Sequence, residues 1–222
     1  MSPTTRSDAV NGQTRRRQKS HAALIGAGLA LLEEGRPNAS IDEITRRAGV
    51  GFGTFYNHFD SKEELFAEAT YSLLDMYAAW LREATSELSD PAEIFARRFR
   101  LTGRLASERP HLIAPLLTQG TEVLLVERGL RDAALADISE GVSSGRFADV
   151  DPEILLMIVG GALLGLLRLL GTHSEWDDAR VSDQVTERML CMLGVSATEA
   201  QTIAVQPLTE VPDPDRWLAD EG

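Results

Sequence analysis

The stretch SIDEITRRAGVGFGTFYNHF, Ser40 to Phe59, sets two short helical patterns on either side of a glycine. Ser40 followed three residues later by Glu43 reads as a capping box, in which each side chain satisfies an otherwise orphaned backbone amide. Ile41, Ile44 and Ala48 then recur along one helical stripe, and Gly49 ends it. Gly49 permits the positive φ of a sharp turn, and Ala48 lets two helices approach. Val50, Phe55 and Phe59 then bury a further helix, expected from about Val50 to Phe59, across the first. This is the spacing of a helix-turn-helix, whose last helix presents its N-terminal residues outward. The major groove of DNA accepts one such helix, while helix N-termini and nearby hydroxyl, amide and cationic groups hold phosphates.

Upstream, Leu24, Ile25, Leu29, Leu31 and Leu32 fall at helical spacing within Arg15 to Glu34, and Gly35 with Pro37 stops that helix. Residues 1–14, MSPTTRSDAVNGQT, lack apolar periodicity and are expected to form a flexible arm. Downstream, Ser61 with Glu64 makes a second capping box. It opens a helix carrying Leu65, Ala69, Leu73, Met76 and Trp80 on one face to about Leu88, long enough to leave the first domain. Asp90-Pro91, Pro110, Asp151-Pro152 and Asp177 or Asp178 open further helices. A long pattern from about Thr121 to Ser143 makes another, and the last helix runs to Gly194.

The chain therefore reads as all-α with about nine helices: an arm over 1–14, a three-helix helix-turn-helix domain over 15–62, and a helical body over 63–205. The tail, 206–222, holds Pro207, Pro212, Pro214 and several acids and is expected to be loose.

Composition agrees with this reading. The 222 residues are 43% hydrophobic, 25% charged and 6% aromatic, which suits an Ala- and Leu-rich helical protein and argues against an all-β fold. One cysteine, Cys191, forms no internal disulfide and no all-cysteine zinc site. With no signal-type apolar N-terminus, a reduced, cytoplasmic setting is expected. The net charge of −12 is unevenly placed. The first 62 residues carry nine Lys+Arg against six Asp+Glu, or +3, and the rest carry 13 against 28, or −15. A basic head meets a polyanion while an acidic body repels it.

The run AGVGFGTFYNHFDSKEELF, Ala48 to Phe66, resembles the recognition region of the TetR family of transcriptional repressors, with Gly53-Thr54, Tyr56, His58-Phe59 and Ser61-Lys62 in order and spacing. The resemblance is specific over about residues 17 to 70 and architectural beyond. It implies a homodimer whose second domain binds a small molecule that weakens operator binding. Residue by residue, it implies phosphate contacts from Tyr56, His58 and Lys62, a backbone anchor at Thr54, and approach to base edges by Gly51, Phe52 and Gly53. Phe52 departs from the polar residues more common there and suits only shape or a thymine methyl; it could instead be core. Thr45, Arg46 or the arm residues Arg15, Arg16 and Arg17 are then expected to supply part of the base reading, and Ser40 and Asn57 complete the expected interface.

At the other end, ILLMIVGGALLGLL, Ile154 to Leu167, is short for a membrane span, and no membrane association is expected. Gly161 and Gly165, with Ile158 and Ala162 on the same stripe, suit close helix contact. This helix is either core or, as preferred, half of an intersubunit four-helix bundle with the Val181, Val185, Met189 and Met192 stripe. The effector cavity that the resemblance implies is expected among the fourth to eighth helices, lined by Trp80, Phe99, His111 and Glu122.

Other motifs carry less. Gly141-Val142-Ser143-Ser144-Gly145 matches a nucleophile elbow but ends a helix, Gly26-Ala27-Gly28 lacks a preceding strand, and four histidines lie too far apart in sequence for a metal site. Asn38-Ala39-Ser40 matches a glycosylation acceptor, but Ser40 is wanted as a cap. No catalytic group, metal or cofactor is expected. The expected function is a ligand-responsive regulator that binds double-stranded operator DNA. The alternative is a helical small-molecule carrier or enzyme.

Overall fold

The computed structural model describes residues 5–173 and 175–208. Ten α-helices occur among them: α1 (Thr5–Glu33), α2 (Ile41–Arg47), α3 (Phe52–Tyr56), α4 (Lys62–Glu83), α5 (Pro91–Glu108), α6 (Pro110–Gln119), α7 (Leu130–Ser143), α8 (Pro152–Leu170), α9 (Asp178–Met192) and α10 (Ala197–Ala204). A 3-10 turn spans Gly120–Leu124, and no strand occurs among the described residues. The chain divides into two compact units, 1–73 and 74–222, with the division inside α4.

In the first unit, the fully buried Leu24, Leu31, Ile44, Phe55 and Leu65 join α1, α2, α3 and the start of α4. Gly28 brings α1 close to α4, since a Cβ there would lie 3.0 Å from Leu65 Cδ2 and 3.1 Å from the Ala69 Cβ. The expected caps form. Ser40 Oγ accepts from the Glu43 amide at 3.3 Å and Ser61 Oγ from the Glu64 amide at 3.1 Å, while Glu64 reaches back to the Asp60 amide. After α2, Gly49 has φ +65°. The Gly49 amide donates to the Arg46 carbonyl and the Val50 amide to the Thr45 carbonyl, the paired bonds that close a helix on a left-handed residue.

Three expectations change here. In place of a flexible arm over residues 1–14, α1 is helical from Thr5, with no proline between Pro3 and Pro37 to stop it, and residues 1–4 of the arm lie outside the described residues. The helix expected over residues 50–59 is five residues long, ending at Tyr56 with Asn57 as its cap. α4 ends at Glu83, not Leu88.

In the second unit, α5 packs on α9, α8, α6, α7 and α10, and α8 packs on α7 and the 3-10 turn. Asp90, Asp151 and Asp177 cap α5, α8 and α9 through the amides of Ala92, Glu153 and Arg180. The pattern expected as one helix from Thr121 to Ser143 is broken. Gly129 adopts φ +64° with its Cα against Asp75, where a Cβ would overlap the carboxylate, and α7 starts only after it. α10 was not expected, although Ser196 and Glu199 repeat the spacing read at Ser40 and Ser61; Ser196 Oγ accepts from the Glu199 amide at 3.4 Å. Most of the expected loose tail, 209–222, lies outside the described residues.

α8, at 19 residues, is longer than its apolar run suggested and is long and apolar enough to cross a membrane by length and composition alone. One face, including Leu155, Leu156, Val159, Leu166 and Leu167, is buried in the unit. The elbow-like glycine also has a structural use: a Cβ on Gly141 would overlap the Phe147 ring.

Arg146 ties three segments together. Its Nε donates to Asp90 Oδ1 at 2.7 Å and its Nη2 to Asp90 Oδ2 at 2.9 Å and Glu199 Oε1 at 2.8 Å. The guanidinium, aided by the Ala92 amide, holds the Asp90 carboxyl below the usual range against the opposing effect of burial. Replacing Asp90 with Ala removes a cap and a bidentate charge pair, and should cost about 1–3 kcal/mol in chemical denaturation. Because the folded pKa is the lower one, this contribution is present above the unfolded value of about 3.9 and lost as pH falls through the folded value. The gap between wild type and Asp90→Ala should therefore close in acid titration.

Candidate nucleic-acid interface and ligand cavity

A five-residue helix has too few internal hydrogen bonds to hold itself, so α3 is positioned by what it buries. Phe55 is fully buried, with its ring 5.9 Å from Phe59 and 5.3 Å from Tyr56. Seating Phe55 inward turns Phe52 and Tyr56 outward; they are 54% and 51% exposed and meet edge to face at 5.5 Å. Phe52 is thus surface, not core.

Gly51 and Gly53 flank Phe52. Gly51 caps α3 at φ −76°, and neither glycine has a left-handed backbone. A Cβ on Gly53 would meet nothing within 4 Å, and one on Gly51 only Thr54 Oγ1 at 3.9 Å. Nothing inside the unit therefore demands glycine at either position. Both leave the backbone bare on the outward face.

Arg16 and Arg17 of α1 border an open groove with Gln13, Ser20, Thr54, Asn57 and His58. Arg15 is exposed but does not line it. His58 is half-buried. Its Nε2 lies 2.7 Å from Ser20 Oγ, and its ring stands edge-on to His21 at 5.5 Å, while His21 stacks on Phe59. Burial pushes the His58 pKa down, and the neighbouring His21 and Arg17 add to this. A phosphate beside this ring would oppose that shift by favouring the charged form.

Lys62 opens α4, with Nζ 3.5 Å from the Asn38 carbonyl. Arg46 is exposed with no ion pair among the described residues, whereas the neighbouring Arg47 is tied to Glu34 through both terminal nitrogens. One expected contact is corrected. Thr45 is 3% exposed and its hydroxyl donates to the Asp42 carbonyl at 3.1 Å, so it faces the core. Ser40 is exposed, and its Oγ accepts as the cap of α2 while keeping its O–H to donate.

The second unit contains a cavity of about 90 Å³ among α4, α5, α7 and α8. Phe95, Phe99 and Phe147 line it with Leu81, Ile138 and Val159, and its polar groups are Arg98, Thr102 and Asp137. Of the four expected lining residues, Phe99 is the one that the structure places there. Trp80 stacks on Tyr77 at 5.6 Å and borders a separate, more open cavity with Arg100 and Arg104. Glu122 is exposed on the 3-10 turn, and the side chain of His111 lies outside the described ones. The missed residues left a readable signal. Arg98 and Thr102 stand at helical spacing with Phe95 and Phe99, polar groups on a face that otherwise reads as core.

Residues 24–69 match the family described as bacterial regulatory proteins, tetR family, and residues 90–206 match tetracyclin repressor-like, C-terminal domain. Among solved structures, RolR in complex with its ligand resorcinol is 30% identical, covering 89% of this chain and 99% of that one with a TM-score of 0.78. RolR without ligand gives a TM-score of 0.73 at the same identity, covering 86% and 99%. YhgD of Bacillus subtilis, an uncharacterized HTH-type transcriptional regulator, is 26% identical over 148 residues, 61% of this chain and 75% of that protein.

The bare glycine makes two effects separable. Gly53→Ala should hold or raise thermal stability, by up to about 1 kcal/mol from helix propensity, while lowering DNA affinity in a gel-shift or anisotropy titration. Lys62→Ala should weaken binding to all sequences by a similar factor and reduce the salt slope by about one.

Proposed function

Because the chain belongs to the TetR family and is a ligand-responsive DNA-binding transcriptional regulator, we propose that it acts as a homodimeric repressor released from a roughly palindromic operator by a small molecule. The observation that carries this reading is the pairing, in one chain, of an outward-facing α3 with bare glycines and a partly open apolar cavity with three polar groups. α4 belongs to both: Leu65 and Ala69 are buried in the first unit, and Ala78 and Leu81 line the cavity in the second. A ligand that shifts α4 by favouring one packing over another needs only about 1–3 kcal/mol of coupling to make a useful switch.

The DNA contacts proposed are Tyr56, His58 and Lys62 on phosphates, with Thr54, Asn57, Arg16 and Arg17 around the open groove. Phe52 meets a thymine methyl or the groove wall, with Gly51 and Gly53 allowing that approach. Arg46 is free to join them, and Arg15 extends the basic surface of α1.

Dimerisation is proposed through α8 and α9. Ile154, Met157, Ile158 and Leu169 are exposed along α8, with Gly161 and Gly165 on the same stripe and Ala162 at its edge. Ile158 is 46% exposed, an unusual setting for a large apolar side chain next to three others. Val181, Val185, Met189 and Met192 are half-buried on α9. A second copy of this chain would cover both stripes, and a two-fold dimer would place two copies of α3 on half-sites related by the same symmetry. The cavity of about 90 Å³ is smaller than the roughly 150 Å³ site known to admit benzene, so a single-ring effector would use its open side or shift its walls; the resorcinol bound by RolR supports an effector of that size.

Binding to the DNA upstream of the protein's own gene should be steeply salt-dependent. Six to ten phosphate contacts from a dimer correspond to a log–log slope of about −5 to −9, and a flat response would remove DNA binding from the reading. A Cβ on Gly165 meets nothing within 4 Å in its own chain, so Gly165→Leu reports on the interface and not on packing within the chain. It should shift sedimentation toward monomer and lower DNA affinity through lost bivalency. An intact dimer would place the subunit contact elsewhere.

A further inference from the structure

The aromatic cavity of the second unit contains one ion pair whose hydrogen bonds are unevenly used. Arg98 Nη1 donates to Asp137 Oδ2, while its Nε and Nη2 donate to Thr85 Oγ1 at 3.0 and 2.8 Å. Thr102 is engaged as well: its hydroxyl donates to the Arg98 carbonyl at 2.8 Å and accepts from the Tyr77 hydroxyl at 3.1 Å. Among the described residues no further hydrogen bond reaches Asp137. The cavity thus offers a guanidinium with three of its five N–H donors in use, a hydroxyl with one acceptor lone pair left, and a carboxylate with most of its acceptor capacity spare.

We infer that this cavity selects a neutral, single-ring hydroxyarene, and that Asp137 is the specificity-determining residue, accepting a hydrogen bond from the ligand hydroxyl while Arg98 holds it in place. The inference rests on the reading of this cavity as the effector site. Three arguments support it. The walls, Phe95, Phe99, Phe147 and Ile138, are apolar and aromatic, a lining that suits the faces and edges of a ring. Arg98 and Asp137 are paired with each other, so an anionic ligand would meet the Asp137 carboxylate and a cationic one the Arg98 guanidinium in a largely apolar site. Finally, burial pushes the Asp137 carboxyl up, opposed by Arg98 and Arg82, which makes its ionised form a strong acceptor when a donor arrives. Arg98 also links the site to the segment just after α4, since its Nε and Nη2 donate to Thr85 while Nη1 holds Asp137.

Calorimetric titration of the full chain with phenol, toluene and benzoate tests the inference, in wild type, Asp137→Asn and Asp137→Leu, with circular dichroism melts to identify any variant that fails to fold. Phenol should bind about ten- to hundred-fold more tightly than toluene, the margin of a hydrogen bond to a charged acceptor. Benzoate should bind more weakly than phenol. Asp137→Leu should erase the preference for phenol while leaving toluene binding within about three-fold, and Asp137→Asn should reduce it. Equal binding of phenol and toluene, tightest binding of benzoate, or a phenol preference that survives Asp137→Leu would overturn it. The effector reading is tested separately by release of DNA. Tight phenol binding with no release leaves the recognition chemistry standing and removes the regulatory role. Release by some other compound, with no saturable phenol binding, removes the chemistry and keeps the role.

Discussion

The buried ring of Phe55 is the interaction on which the proposed DNA-facing surface depends. α3 contains a single turn and a half, and such a segment is not stable by its own hydrogen bonds. Its orientation is imposed by Phe55 on the inside and by the Gly49 turn at its entrance. With Phe55 inside, helical periodicity leaves Phe52 and Tyr56 no place but the outside. The aromatic residues of this short segment therefore divide between core and surface, and the same geometry that packs the unit displays its recognition face.

The second unit is held by a different logic. Arg146 joins the caps and ends of distant segments, and Arg100 and Arg104 share Asp183 across α5 and α9 at 2.7 and 2.9 Å. These arginines are mostly shielded, so the pairs act more as register pins than as large sources of stability. Arg98 and Asp137 differ from them in facing a cavity. A polar pair that lines empty apolar space is under-used as structure, and this is what marks it as a candidate for recognition.

How much of this was legible depends on whether the signal was local. The caps at Ser40 and Ser61, the turn at Gly49 and the proline starts at Pro91, Pro110 and Pro152 are set by neighbours a few residues apart, and each could be read directly. The same grammar stood at Ser196 and Glu199, where the prolines beyond mask α10 by suggesting a loose end. The break at Gly129 depends on Asp75, 54 residues away, and no periodicity reports that. Thr45 reads as an exposed polar residue until its hydroxyl is seen to satisfy its own helix. The cavity was the least legible part. Trp80 and Glu122 stand out by residue type, whereas Arg98 and Asp137 meet only once α5 and α7 are packed.

The apolar stripe on α8 has a consequence for dosage. With that stripe covered by a second copy, as proposed, two chains must meet before either holds its operator well. Occupancy then climbs faster than in proportion to the amount of protein made. A modest fall in synthesis, or dilution by cell growth, would lift repression more sharply than the intrinsic strength of the contacts suggests, giving the circuit a threshold independent of any inducer.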